Sequence, residues 1–180
     1  MDEKNLLFSI ETRIEGKDYR KFLYIATFFR KKMVIPMILL LSGAMAYLLS
    51  ISENGFSISA FLVFWLVLLL VGIASTAFQI ERKNKVRIKT DKTGTFGAVN
   101  ELLFFENEFE VNSEVLKSQS TIEYEKIYQV LESKDYFIVY FNANQAAIVR
   151  KEDMDIDIEL KFRDLFERKI GKKYLKINMI

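Results

Sequence analysis

The sequence predicts a membrane α+β protein: a two-helix transmembrane hairpin carrying a cytoplasmic antiparallel β-sheet domain that a C-terminal helix closes. Three observations predict it. The twenty residues from Met33 to Ser52 and the twenty-seven from Asn54 to Ile80 contain no charged side chain, although 28% of the 180-residue chain is charged. Lys and Arg crowd both outer flanks of these runs and are absent between them. After Gly97 the apolar period shifts from that of helices to that of short strands.

The chain opens with "FSIETRI", in which Phe8, Ile10, Thr12 and Ile14 alternate with Ser9, Glu11 and Arg13. That is the pattern of a half-exposed strand. From Asp18 onwards Tyr19, Phe22, Leu23, Ala26 and Phe29 recur at helical spacing, with Lys17, Arg20 and Lys21 off the stripe, which predicts an amphipathic helix at the membrane surface or a stalk into the first span.

A helix rises about 1.5 Å per residue, so about 20 apolar residues cross a hydrocarbon core of about 30 Å. Both charge-free runs are long enough. Two helices apolar on every face need enclosure by other protein if they are not in lipid, and the remaining residues are too few to supply it. Lys17, Arg20, Lys21, Arg30, Lys31 and Lys32 precede the first run and Arg82, Lys83, Lys85, Arg87 and Lys89 follow the second. Basic residues near span ends stay on the cytoplasmic side. Both termini are thus expected in the cytoplasm and Glu53 outside, with Asn54 and Gly55 making the turn and Tyr47 and Trp65 at the outer interface. Within the runs, Ser42, Gly43, Ala44, Ala46, Gly72 and Thr76 are small enough to let the two helices approach. Pro36 stands in the first turn, where a missing backbone donor costs little.

Beyond the second run, "ERKNKVRIK" extends the helix until "TDKTGTFG" breaks it. "ELLFFENEFEVNS" then reads as two strands about Asn107 and Glu108. "STIEYEKIYQVLES" reads as a strand, a turn and another strand, and "YFIVYFN" with "QAAIVRK" as a hairpin across Ala143 and Asn144. Ile158, Phe162, Leu165 and Phe166 share one face of a helix that starts near Asp155 or Asp157. The predicted organisation is an N-terminal strand and amphipathic helix at 1–32, spans at 33–52 and 60–80 around an outer loop at 53–59, a basic helical connector at 81–99, and the sheet domain at 100–180. Because a hairpin returns the chain to its side of entry, the strand Leu6–Ile14 is expected to pair with that sheet and cover an open edge.

The residues "FSIETRIEGKDYRKF", the two-span hairpin, "LLFFENEFEV" and "TIEYEKIYQVLESKDYFIVYFNANQAAIVRKEDM" with the terminal helix together resemble the YcxB-like family of bacterial membrane proteins. The resemblance implies a pleckstrin-homology-like (PH-like) C-terminal fold, a bent antiparallel sheet closed by a helix. It also implies a bacterial plasma membrane location. The hairpin return here, "AAIVRK", has no proline before its basic pair, where family members often carry one.

Chemistry is sparsely signalled. The chain has neither His nor Cys, which excludes imidazole bases, thiol nucleophiles, the usual zinc sites and disulfides. "DMDIDIE" places Asp153, Asp155 and Asp157 at alternate positions as a calcium loop does, but Ile158 stands where the loop needs Gly and Asp164 where it needs Glu. Acids at a helix N-terminus account for the same residues through the macrodipole. "GTFG" lacks the Gly-Lys-Ser/Thr ending of a phosphate loop. Neither a catalytic residue, a metal ligand, a cofactor nor a small-molecule substrate is indicated, and the chain is expected not to be an enzyme.

Charge is unevenly spread: eight Glu against two Lys from Asn100 to Ser133, then seven basic residues against two acidic ones from Lys161 to Lys176. Arg30, Lys31, Lys32, Arg82, Lys83, Lys169, Lys172 and Lys173 are candidate contacts to anionic lipid, each near-surface charge contributing about 1 kcal/mol. The competing account is a solvated basic face. A formal net charge of +2 and an acidic sheet disfavour nucleic acid. The expected partners are the bilayer and either another protein or a second copy of the chain. The expected role is protein binding, scaffolding or regulation at the cytoplasmic face of the membrane. The other class considered is an immunity factor against an envelope-active toxin or bacteriocin.

Overall fold

The computed structural model describes residues 5–31, 33–53, 55–92, 94–113, 118–143 and 145–177. Lys32, Asn54 and Asn144, expected at the span entry, the hairpin turn and the strand turn, lie outside them. The chain divides into two compact units, one of residues 1–19 and 90–180 and one of residues 20–89.

The first unit is a mixed α and β structure with antiparallel sheets. Strand β1 (Phe8–Arg13) lies antiparallel to β4 (Val99–Phe104), which pairs in turn with β5 (Glu108–Ser113) and that with β6 (Ser118–Glu123). The expected strand at the N-terminus therefore exists, and it pairs with the C-terminal region across about 90 residues of intervening chain. Its alternation is real: Phe8, Ile10 and Thr12 are buried and Ser9, Glu11 and Arg13 exposed. A second sheet has the order β10 (Tyr174–Lys176), β7 (Gln129–Glu132), β8 (Tyr136–Tyr140) and β9 (Ala146–Arg150). Here the structure departs from the sequence reading twice. The strands divide between two four-stranded sheets, and β10, read as part of a basic tail, adds to β7 in parallel.

Helix α4 (Ile156–Ile170) closes both sheets over one core. Phe162, Leu165, Phe166 and Ile170 are its buried stripe, and Phe104, Phe109, Tyr124 and Phe137 meet it with ring centroids 4.3–6.3 Å apart. Aromatic side chains supply the largest apolar area per residue, so a small two-sheet domain gains most of its core from few positions. The buried Tyr124 hydroxyl donates to the Phe105 carbonyl at 2.9 Å, and burial pushes its pKa up. The helix stops where Gly171 takes φ +50°, a left-handed conformation that glycine adopts without a Cβ clash.

The second unit is helical. Helix α1 (Gly16–Ile25) passes from the first unit into it and continues as a π-helical turn, Ala26–Arg30. Helix α2 (Val34–Leu49) covers the first apolar run, and α3 (Ile58–Lys89) the second together with the basic extension, ending where expected. Between them Ile51–Ser52 and Gly55–Phe56 form a minimal antiparallel ladder, β2 and β3, with Gly55 at φ +95°. At 32 residues α3 is about 48 Å long, and it is long and apolar enough to cross a membrane. Helix α2, at 16 residues, is about 24 Å. Ser42 and Ala46 are buried, a Cβ built on Gly72 would stand 3.0 Å from Ile38 Cγ2, and one on Gly43 would stand 3.7 Å from Trp65 Nε1. The small residues therefore pack α2 against α3. Thr76 also donates its hydroxyl to the Gly72 carbonyl at 2.9 Å. At the basic end of α3, Glu81 accepts from Arg20 Nε at 2.7 Å and from the Tyr24 hydroxyl at 3.0 Å.

Candidate functional site

The end of β9 runs directly into a single 3-10 turn, Lys151–Asp153, so that Arg150 and Lys151 are consecutive but serve two separate charge clusters. Strand alternation explains the division: successive side chains leave a strand on opposite faces.

Arg150, with its side chain 6% exposed, donates Nε to Asp153 Oδ2 at 2.8 Å, pairs through Nη1 with Glu152 at 2.7 Å, and stands 3.8 Å from Asp18. Asp18 is itself buried, accepting the Tyr136 hydroxyl at 2.8 Å and the Glu15 backbone N–H at 2.9 Å. Thr12 on β1 donates to Asp153 at 2.7 Å. Residues from β1, α1, β8 and the turn after β9 thus share one polar cluster, which ties the N-terminal segment to the second sheet. Burial would push the Asp153 carboxyl up, but hydrogen bonds from Arg150 and Thr12 outweigh it and hold the pKa low, while Asp153 raises that of Arg150. Asp153 is therefore engaged by Arg150 rather than placed for the helix macrodipole, which leaves Asp157 and Glu159 as the acids in the first turn of α4.

The second cluster centres on Glu132, the last residue of β7, whose side chain is 1% exposed. Lys151 Nζ and Arg163 Nη2 each reach Oε1 at 2.7 Å; Arg163 Nε and the Tyr174 hydroxyl reach Oε2 at 3.2 and 2.5 Å. Burial alone would raise the carboxyl, yet the bonds from Arg163, Lys151 and Tyr174 take its pKa down to about 2. Burial and then Glu132 push the Tyr174 hydroxyl up. Glu159 braces the same cations, 3.0 Å from Lys151 and 2.8 Å from Arg163. Beside this cluster lies a cleft of about 270 Å³ lined by Glu132, Ser133, Lys134, Lys151, Arg163, Lys176 and Ile177. Four of its seven lining residues are cationic.

The residues proposed from sequence as lipid contacts fall elsewhere. Arg30, Lys31, Arg82 and Lys83 belong to the helical unit, with Lys31, Arg82 and Lys83 exposed and Arg30 partly covered. Lys169 donates to Glu106 at 2.7 Å and to Asn107 at 3.3 Å; Lys173 donates to the Glu125 and Ile127 carbonyls at 3.2 and 3.0 Å. Both are spent on the sheet unit's own loops, whereas Lys172 is exposed. Among the described residues no group of His, Cys, Asp or Glu is arranged to hold a metal ion.

Glu132, Arg150, Lys151 and Arg163 were not singled out from sequence as site residues. The legible signal was local: a basic pair directly after the apolar run "AAIV", with Asp153 three residues beyond Arg150.

Antiparallel sheets, a closing helix and an aromatic core define this unit as an α+β domain. Residues 104–166 match the family described as YcxB-like protein, so the resemblance read from the sequence holds over that segment. The match begins on β4 at Phe104 and ends on α4 at Phe166, enclosing the aromatic core except Phe8, and Glu132, Arg150, Lys151 and Arg163. No curated protein and no solved structure matches the chain.

Proposed function

We propose that this chain is a membrane-anchored, non-enzymatic binding module. In this reading α2 and α3 cross the bilayer as a two-span hairpin, both termini lie in the cytoplasm, and the sheet unit, PH-like in its succession of strands and closing helix, binds or regulates a partner there.

The observation that carries the reading is the uncovered apolar shell of the helices. Leu40, Leu48, Leu62, Val63, Leu66, Leu70, Val71 and Phe78 are 52–70% exposed, and none of the most apolar stretch of α3 is buried. Contiguous apolar surface on this scale does not face water in a soluble protein. Basic residues at Lys31, Arg82 and Lys83, and the lack of any between the runs, support the orientation. The absence of Asp, Glu, Lys and Arg within the two runs argues against a transport path. The absence of His and Cys supports binding over catalysis.

The test is extraction. The expressed protein is expected to sediment with membranes, to stay there through alkaline carbonate and to be released by detergent. Native detergent extraction should then recover it with a stoichiometric partner or a second copy. Release by carbonate alone would overturn the anchor.

A further inference from the structure

We propose that the cleft beside Glu132 binds a phosphate monoester group, carried by a soluble compound or by a lipid headgroup. The inference gives a ligand class to the sheet unit. It rests on that unit being a binding module and not on the membrane anchor.

The cations that line the cleft come from four different places in the chain: Lys134 in the turn between β7 and β8, Lys151 after β9, Arg163 on α4 and Lys176 on β10. A solvated charge run places its cations side by side on one exposed surface. Here separate elements bring them to one concavity, where like charges repel unless an anion is present.

Their charge is not cancelled within the fold. Among the described residues four cations line the cleft with Glu132, and with Glu159 bracing Lys151 and Arg163 the formal surplus is still two positive charges. A phosphate monoester carries about −1.5 to −2 at neutral pH and so balances that surplus, which a single carboxylate does not. A volume of about 270 Å³ admits the group with part of what it is attached to.

The inner donors are held in place before any ligand arrives. Glu132 and Glu159 fix Lys151, whose ammonium also sits 4.6 Å from the centroid of the Phe137 ring. Arg163 uses Nε and Nη2 on the same two carboxylates, which leaves both N–H groups of Nη1 without a partner among the described residues. A guanidinium offers five N–H donors and an ammonium three, so the cluster retains donors after Glu132 is satisfied. Lys176, 57% exposed and 3.8 Å from Glu132, and the exposed Lys134 are outer cations able to close on the ligand. A buried carboxylate that positions cations without quenching them is a preorganised anion site.

The experiment uses the full-length protein in detergent, with thermal unfolding followed by circular dichroism at constant ionic strength. Glycerol phosphate is expected to raise the melting temperature in a saturable way, by about 5–11 °C at a hundredfold excess over its dissociation constant. Dimethyl phosphate, acetate and chloride are expected to leave it unchanged. The double variant Lys134→Gln/Lys176→Gln should melt normally in chloride and bind glycerol phosphate at least tenfold more weakly, while Lys126→Gln, outside the cleft, should respond as the unaltered protein does. No rise with the monoester, an equal rise with dimethyl phosphate, or an undiminished rise in the double variant overturns the assignment. Nanodiscs then separate the sources. If phosphatidate, and not phosphatidylglycerol, suppresses the response to glycerol phosphate, the ligand is a lipid headgroup; an undiminished response assigns a soluble phosphate. A protein that still resists carbonate and still recovers its partner, yet shows no monoester effect, would lose this inference alone.

Discussion

Glu132 shows at one residue how burial and charge are reconciled in this fold. A carboxylate with a side chain 1% exposed survives because Lys151, Arg163 and Tyr174 occupy both its oxygens. Replacing it by Gln removes the charge that compensates two partly buried cations, so Glu132→Gln is expected to cost about 3 kcal/mol, read as a lower unfolding midpoint in denaturant. Acid should produce the same loss. The folded pKa, about 2, lies below the ordinary 4.5, so the stabilisation is complete above about pH 5 and is lost as pH falls through 4.5 towards 2. Asp153, held low by its hydrogen bonds to Arg150 and Thr12, adds to the fall with the same sign. The measurement is unfolding free energy between pH 7 and pH 3, where Glu132→Gln should show a shallower decline than the unaltered protein. Equal slopes would remove Glu132 from this account.

At the scale of elements, close approach decides how the helices pair. The 3.0 Å space between a Cβ at Gly72 and Ile38 admits no larger side chain without displacement, whereas the 3.7 Å at Gly43 is ordinary contact. Gly72→Leu is expected to cost about 1–3 kcal/mol through overpacking, and Gly43→Ala to be nearly neutral. Both are measurable by helical unfolding in detergent. Strand β1 offers a second test, because it covers the edge of β4 and contributes Phe8 and Ile10 to the core, with Phe8 stacked 4.6 Å from Phe104. Removing residues 1–15 should lower the melting temperature and speed proteolysis between residues 101 and 151. Unchanged melting and digestion would show that the sheet does not need the strand.

How far these elements could be read from sequence depended on whether their period was visible. Strand β1 alternates strictly because one face is solvated, and α4 shows a helical stripe because one face meets the core. Strand β7 hides Glu132: Val130, Leu131 and Glu132 are buried consecutively, so a charged residue beside "SKD" reads as the edge of a surface turn. Strand β10 is three residues long, sits in a basic segment and pairs in parallel with a strand more than forty positions away. No local pattern encodes such a pairing. The two charge clusters were hidden for the same reason, since their partners come together only after β1, β7, β9 and α4 have taken their places.

For the whole molecule, the proposed function makes a helical pair with charge-free, exposed apolar runs and a sheet unit rich in internal ion pairs two solutions to different solvents. The helices satisfy their backbones internally and leave apolar side chains outward, as lipid requires. The sheet unit buries its apolar residues and organises its charges around Glu132 and Arg150. The central claim is that the first is a hairpin through the membrane and the second lies in the cytoplasm. Because the chain has no native Cys, single-cysteine variants report on it without background. The most direct measurement labels Glu53→Cys and Glu125→Cys in intact cells with a membrane-impermeant thiol reagent. The account expects Cys at 53 to react in intact cells and Cys at 125 to react only after permeabilisation. Labelling of position 125 in intact cells, or protection of position 53 until lysis, would contradict it.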